Sequence, residues 1–355
     1  MAVRKSAIIV TLVVGALLVV VVLFAMAVMP PFGQVAPQTE EQEIIDQLWR
    51  EGEDQDLFGI LEYSGGTASG KYIEFEYSES DGAMSDIRMN TGDGMTTVLD
   101  GLAVTGLDST VPTVTGPLFR VDGPLATLIV HNNPTDLIQI GAETGGEIIL
   151  SFPQGAEVTR NTDIEVPSYN ISVDGAELWL GVSNADIRAV GNELRITFTG
   201  SGAAMIRQLP QIESVGEDVE RAIMRAIDTG FIGGELWTLA RSEGYVQESA
   251  SLNGVDISVT SAEVGMVTME ASAQFQGGSI ILVNVDRETI DPDAEGGVTV
   301  GGEDAQNVDL VDLLESAESG DASPAFSLFE GENATKFLIY VPDLTAGNEV
   351  VIANT

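Results

Sequence analysis

Twenty-three consecutive residues, Ala7 to Met29, carry no charged side chain; Arg4 and Lys5 precede the run and Pro30 and Pro31 close it. As a helix rising ~1.5 Å per residue this segment is roughly 35 Å long, enough to cross a hydrocarbon core of roughly 30 Å. The sequence therefore predicts a membrane-tethered chain with residues 7–29 as a single transmembrane helix in the lipid bilayer. Both nearby positive charges lie on the N-terminal side, and the first charges beyond the run are Glu40 and Glu41. The positive-inside rule then makes residues 1–6 a cytoplasmic cap and places the C-terminal domain outside the cell membrane. A cleaved signal peptide is the competing reading, and Ala25-Met26-Ala27 has the small-x-small form of a cleavage site. Signal-peptide apolar regions run only roughly 7 to 15 residues, so a retained anchor is the preferred expectation.

Charge describes the environment of the chain beyond the anchor. All 55 acidic residues lie past the apolar run, with 13 of the 15 basic ones (15 less Arg4 and Lys5), a formal charge of 13 − 55 = −42. Such a surface repels nucleic acid and anionic lipid, so no nucleic-acid partner is expected. Lysine occurs only at Lys5, Lys71 and Lys336, against twelve arginines. Abundant carboxylates with scarce lysine resemble the proteomes of halophilic archaea. At molar salt the Debye length is ~3 Å, which screens the self-repulsion of an acidic domain. An ordinary acidic secreted protein is the alternative, but the acids are spread along the chain and not gathered in one tail. The absence of cysteine excludes disulfides, thiolate metal sites and cysteine nucleophiles.

The pattern beyond the anchor is mainly β. Residues 30–56 read as a stalk: prolines first, then a short amphipathic helix with Ile44, Ile45, Leu48 and Trp49 on one stripe, expected to pack on its own domain or on a second copy of the chain. From Leu57 the period becomes two. Ile73, Phe75 and Tyr77 alternate with polar residues, as do Leu194, Ile196 and Phe198. Turns are expected at Gly65-Gly66, Gly92-Asp93-Gly94, Asp100-Gly101, Asp122-Gly123, Asp174-Gly175 and Gly200. The fold predicted is an antiparallel β-sandwich or a stack of β-ribbons. A weak repeat, Val121 to Asn132 against Val173 to Asn184, favours ribbons.

One connecting amphipathic helix is expected over 213–230, with Ser214 and Glu217 as a capping box and Gly230 as the stop. It divides a first β region, 57–212, from a second, 231–355. The second is read with an acidic insertion, 291–323, carrying a short helix over Asp309 to Ser316, and with a closing hairpin that turns at Ala346-Gly347-Asn348.

Motifs that would carry chemistry are weak. Gly65 to Lys71 fits the first seven places of a phosphate-binding loop, but Tyr72 replaces the hydroxyl that holds magnesium, and a strand is expected where a helix must begin. His131, the single histidine, follows a strand in His131-Asn132-Asn133-Pro134 and is read as a turn residue bonding local backbone. Asp291, Asp293 and Glu295 alternate before two glycines and form a weak calcium candidate, without the longer ligand set of an EF-hand. No other cofactor is expected. Sequons stand at Asn170-Ile171-Ser172 and Asn333-Ala334-Thr335. A carboxylate pair suited to glycoside hydrolysis carries no information among 55 acids.

These features make the expected protein a membrane-anchored, extracytoplasmic, β-rich binding or scaffolding protein of the cell envelope, with an envelope protein, a glycan or a second copy as its partner. The alternatives are an anchored extracellular hydrolase using acidic residues and a solute-binding module.

Overall fold

The computed structural model describes residues 40–354, apart from 93, 109, 162–166, 209–222, 224–225, 228, 274, 293–295, 321–322, 331–333 and 346. The apolar run 7–29 lies outside the described residues; among those described, no helix is long and apolar enough to cross a membrane. The first element is helix α1 (Glu40–Asp54). After it the chain is mainly β, as the period-two pattern predicts.

Two eight-stranded antiparallel sheets form the first sandwich. Sheet A runs in the order β1 (Glu62–Ser64), β2 (Thr67–Ser69), β3 (Ile73–Ser78), β4 (Ala83–Asn90), β5 (Met95–Val104), β10 (Glu147–Ser151), β15 (Glu193–Phe198) and β14 (Ala185–Val190). Sheet B runs β11 (Glu157–Asn161), β12 (Ser168–Val173), β13 (Ala176–Val182), β16 (Gly202–Gln208), β9 (Ile138–Ala142), β8 (Ala126–His131), β7 (Leu118–Asp122) and β6 (Thr113–Thr115). Ile73, Phe75, Tyr77, Leu194, Ile196 and Phe198 all turn into the core between them. Phe119 from sheet B meets Phe75 and Tyr77 of sheet A edge-on, with centroids 4.9 and 5.3 Å away.

The second sandwich comes next in the chain. Sheet C runs β18 (Gly244–Ser251), β17 (Ile232–Arg241), β21 (Ser279–Asp286), β26 (Ala334–Val341), β25 (Ala325–Glu330) and β24 (Gln306–Asn307). Sheet D runs β19 (Val255–Glu263), β20 (Met266–Ala273), β27 (Asn348–Asn354), β22 (Gly296–Val300) and β23 (Glu303–Asp304). Two pairings, β17 with β21 and β24 with β25, are parallel, against the antiparallel expectation. The first arises because the chain leaves sheet C for the β19–β20 hairpin of sheet D before returning.

Sheet C is covered on both faces. Leu236, Ile281, Val283, Phe337 and Ile339 face sheet D, while Trp237, Leu239, Leu282, Leu338 and Tyr340 face the other way. That second face meets Trp179 and Met205 of sheet B, Leu48 of α1, and Leu310 and Leu313 of helix α2 (Leu310–Ser319). All eight residues of β21 are consequently buried, and apolar residues occupy both parities of its sequence. Ile44, Ile45 and Trp49 pack against the same cluster, and the Trp49 ring meets Phe58 edge-on at 4.8 Å.

Several local expectations change. Most of the helix expected over 213–230 lies outside the described residues; Ile223, Ala226 and Ile227 of it are helical and buried. Residues 291–323, read as an insertion, supply β22, which pairs with β27 inside sheet D. The expected closing hairpin is an arch: β26 belongs to sheet C and β27 to sheet D, so Phe337 and Val350 meet across a core and not along a ladder. Pro342, which has no amide hydrogen, succeeds β26 directly and cannot continue its ladder. Asp100-Gly101 lies inside β5 and makes no turn. The repeated units are the β7–β8 and β12–β13 hairpins, equally far from the centre of sheet B.

Candidate functional site

Buried polar groups gather where sheets B and C meet. In β8 the residues Ala126, Leu128 and Val130 turn into the first sandwich, so alternation aims His131 outward, toward sheet C. In β18, Val246 and Ala250 line the same junction and Glu248 stands between them. Nδ1 of His131 lies 2.8 Å from Oε1 of Glu248, and Nε2 lies 2.9 Å from Oε1 of Gln139. The Gln139 amide nitrogen donates to the Ser251 carbonyl at 2.6 Å, which leaves its oxygen as an acceptor. Nε2 of His131 is therefore the donor to Gln139, and Nδ1 faces the Glu248 carboxyl. Asn133 Nδ2 donates to the same carboxyl oxygen at 3.0 Å.

This overturns the reading of His131 as a turn residue bonding local backbone. Its side chain, 1 % exposed, bridges two sheets through a partner 117 residues away. A general base must reach the proton it takes. With both ring nitrogens engaged and no open face, this histidine joins the sandwiches.

In the segment after it Asn132, Asn133, Thr135 and Asp136 are buried and polar, and only Pro134 is exposed. Asn132 Oδ1 accepts from the amides of Tyr72 at 2.8 Å and Ile73 at 3.2 Å, and its Nδ2 donates to the Ile60 carbonyl at 3.0 Å. Asn133 Oδ1 accepts from the amide and hydroxyl of Thr135, at 3.0 and 2.8 Å. Asp136 takes a left-handed φ of 46°, which aspartate tolerates better than most residues. With its amide nitrogen turned inward, Gln208 donates to Asp136 Oδ2 at 2.7 Å and to the Asn90 carbonyl at 3.0 Å. Burial pushes the Asp136 carboxyl well above the ordinary carboxylate range, and a backbone hydrogen bond at Asn90 opposes the rise.

A second charged group lies deeper in the junction. Arg207 of β16 is fully buried, 3.4 Å from Glu235 of β17, and its three guanidinium nitrogens find no hydrogen-bond acceptor among the described residues. Asn284 donates to Glu235 at 3.2 Å. Burial raises the pKa of Glu235 more than Arg207, Lys336 and Asn284 together lower it, and Glu248 adds to the rise. A third group ties α1 down: Arg241 Nη1 donates to Asp286 at 2.7 Å while Nε reaches Glu51 of α1.

The motifs from the sequence fall elsewhere. Gly65 and Gly66, at φ 61° and 90°, form the two-residue turn between β1 and β2, and Gly70 packs against the Asn132 side chain. Lys71 is occupied by Asp56 and the Glu53 carbonyl, so no cation faces a phosphate there. Of the calcium candidates, Asp291 is exposed after β21, whereas Asp293 and Glu295 lie outside the described residues. No group of three metal-ligating side chains occurs among the described residues. Asn170 is exposed in β12, and Asn333 lies outside the described residues.

Sequence reasoning does not single out Glu248, Glu235, Asp136 or Arg207. Two of the strands involved carry a signal, a lone polar residue within an apolar run: Glu235 in Ile232 to Trp237 and Asn284 in Ile280 to Val285. Nothing local tells which distant residue satisfies it.

The fold and the junction define a mainly β protein of two sandwiches joined through a buried polar layer. No protein-family model matches the chain, and no curated protein matches it. Among solved structures it aligns with the active YidC insertase whose first transmembrane domain is resolved, at 11% identity and a TM-score of 0.30, over 52% of this chain and 50% of that one. A second alignment, with YidC from Thermotoga maritima, has 12% identity and a TM-score of 0.28 over 47% of this chain and 56% of that one. This chain spans about half the length of those structures. Likenesses this low carry no argument about its fold or activity.

Proposed function

We propose that this chain is a single-pass envelope protein whose β-rich part sits outside the membrane and works by binding or scaffolding, in an organism of saline habitat. The anchor in this reading is the uncharged run 7–29, with the N-terminus in the cytoplasm. The scaffold reading rests on one observation: the single histidine and the two carboxyls most displaced by burial, Asp136 and Glu235, are all buried and spent on the fold, His131 and Glu235 joining sheet B to sheet C through Glu248 and Arg207, and Asp136 held by Gln208 within the first sandwich. The formal charge of −42 beyond the anchor favours a partner met in concentrated salt, either another envelope protein or a glycan.

The test uses the full-length chain in native membranes at molar KCl. Expected are retention in the membrane after alkaline washing, release by non-ionic detergent, protease digestion of the C-terminal part in intact cells, and co-purification of a defined envelope component. Release by alkali alone, or protection of the C-terminal part in intact cells, would overturn the anchored topology. Turnover of a glycan or peptide by the purified chain would overturn the scaffold reading.

A further inference from the structure

The free edge of sheet A is β14, and we propose that it pairs with β14 of a second copy of this chain, antiparallel about Ile187. The Thr199 amide donates to the Asn184 carbonyl at 2.8 Å, and the register sets Ala185 opposite Phe198. Antiparallel alternation then turns the amides and carbonyls of Asp186, Arg188 and Val190 toward β15, and those of Ala185, Ile187 and Ala189 outward. Three residues with outward-facing groups, two apart and centred on Ile187, are what a two-fold strand pair requires.

The side chains fit the same axis. Pairing about Ile187 places Asp186 of each copy opposite Arg188 of the other, at non-hydrogen-bonded positions where side chains approach closely. Within one chain Arg188 faces Arg195, a like-charge pair across the ladder, and Arg195 is held at 2.9 Å by Glu193 of its own strand. Arg188 itself is exposed and has no hydrogen bond or ion pair among the described residues. In a chain this acidic, an arginine set against another arginine at a sheet edge lacks a carboxylate, and the second copy's Asp186 supplies it.

Edge strands ordinarily carry a proline, a lysine or a bulge that blocks pairing. β14 has none of these and keeps an unbroken register over six residues. The opposite edges of the same sandwich, β1 and β6, are three residues long. β11, the remaining edge of this sandwich, has Val158 and Arg160 about its centre and offers no self-complementary charge. Exposed Ala189 and Val190, the latter 53 % accessible, would be covered by the pairing. The contact is isologous and closed, and it merges two copies of sheet A into one continuous sheet. It does not depend on the anchor reading.

Light scattering of the full-length chain in non-ionic detergent at molar KCl tests the contact. The chain is expected as a dimer. Arg188→Asp, which sets carboxylates against each other on both sides of the axis, is expected to weaken dimerisation roughly tenfold or more with melting unchanged. The double exchange Asp186→Arg with Arg188→Asp restores complementarity and is expected to restore the dimer. A monomeric wild-type chain, a dimer indifferent to Arg188→Asp, or a double exchange that stays monomeric would each overturn the proposal.

Discussion

Nδ1 of His131 in sheet B stands 2.8 Å from Oε1 of Glu248 in sheet C, and both residues are 1 % exposed. Removing one member of a buried pair leaves the other uncompensated, at a typical cost of about 3–5 kcal/mol. Glu248→Leu should therefore destabilise the chain by about that amount, because it orphans both His131 Nδ1 and Asn133 Nδ2. Denaturant unfolding in molar salt reads the loss. The double variant His131→Leu with Glu248→Leu is expected to cost less than the sum of the two single changes, since neither charge is then stranded.

A Cβ on Gly70 would lie 2.3 Å from Asn132 Nδ2, and Asn132 cannot yield because three hydrogen bonds hold it. Gly70→Ala is expected to cost about 1–3 kcal/mol through overpacking. Gly65→Ala is the control: its Cβ meets open space and only φ of 61° opposes it, so about 1 kcal/mol is expected. Equal losses at the two sites would contradict the close packing described at Asn132.

Asp136 gives stability a pH dependence of unusual sign. Its folded-state pKa is raised by burial, so the folded chain holds this proton more tightly than the unfolded chain. The stabilisation is complete below the unfolded value of about 3.9 and is lost as pH climbs from there through the raised folded value. Asp136→Asn, which also tolerates the left-handed φ, should remove that loss. The variant is expected to gain on the wild type steadily as pH rises above about 4, as followed by thermal melting. A constant difference at every pH would count against a buried protonated carboxyl.

The acidic surface predicts a response to salt. At 0.1 M ionic strength the Debye length is about 10 Å and at 1 M about 3 Å, so mutual repulsion of exposed carboxylates falls steeply between them. The melting temperature is expected to rise from dilute buffer to molar KCl, and choline chloride at equal ionic strength is expected to do the same. A rise specific to one cation would indicate site binding in place of screening.

The legible part of the sequence is local. Alternation places Ile73, Phe75, Tyr77, Leu194, Ile196 and Phe198 in the core, and paired glycines locate the β1–β2 turn. Asp309 caps α2 through the Asp312 amide at 3.0 Å, at the start of the short helix expected there. The failures come where one strand serves two cores. In β21 both parities are apolar, so periodicity says nothing about which residue faces which layer. Phe337, Ile339, Val350 and Ile352 share a core as the pattern suggests, but the pattern cannot distinguish a hairpin from an arch between sheets. His131 fails for a related reason: its neighbours in sequence are a strand end and a proline, whereas the groups that engage it arrive from Gln139 and Glu248.

Sheet C, lined on one side by the core it shares with sheet D and on the other by sheet B and the helices, makes the two halves of this domain mutually dependent. Neither half can be inherited, swapped or grafted alone without baring a raw surface that its neighbour was shaped to cover. Rebuilding one sandwich therefore demands a matching change in the facing layer of the other.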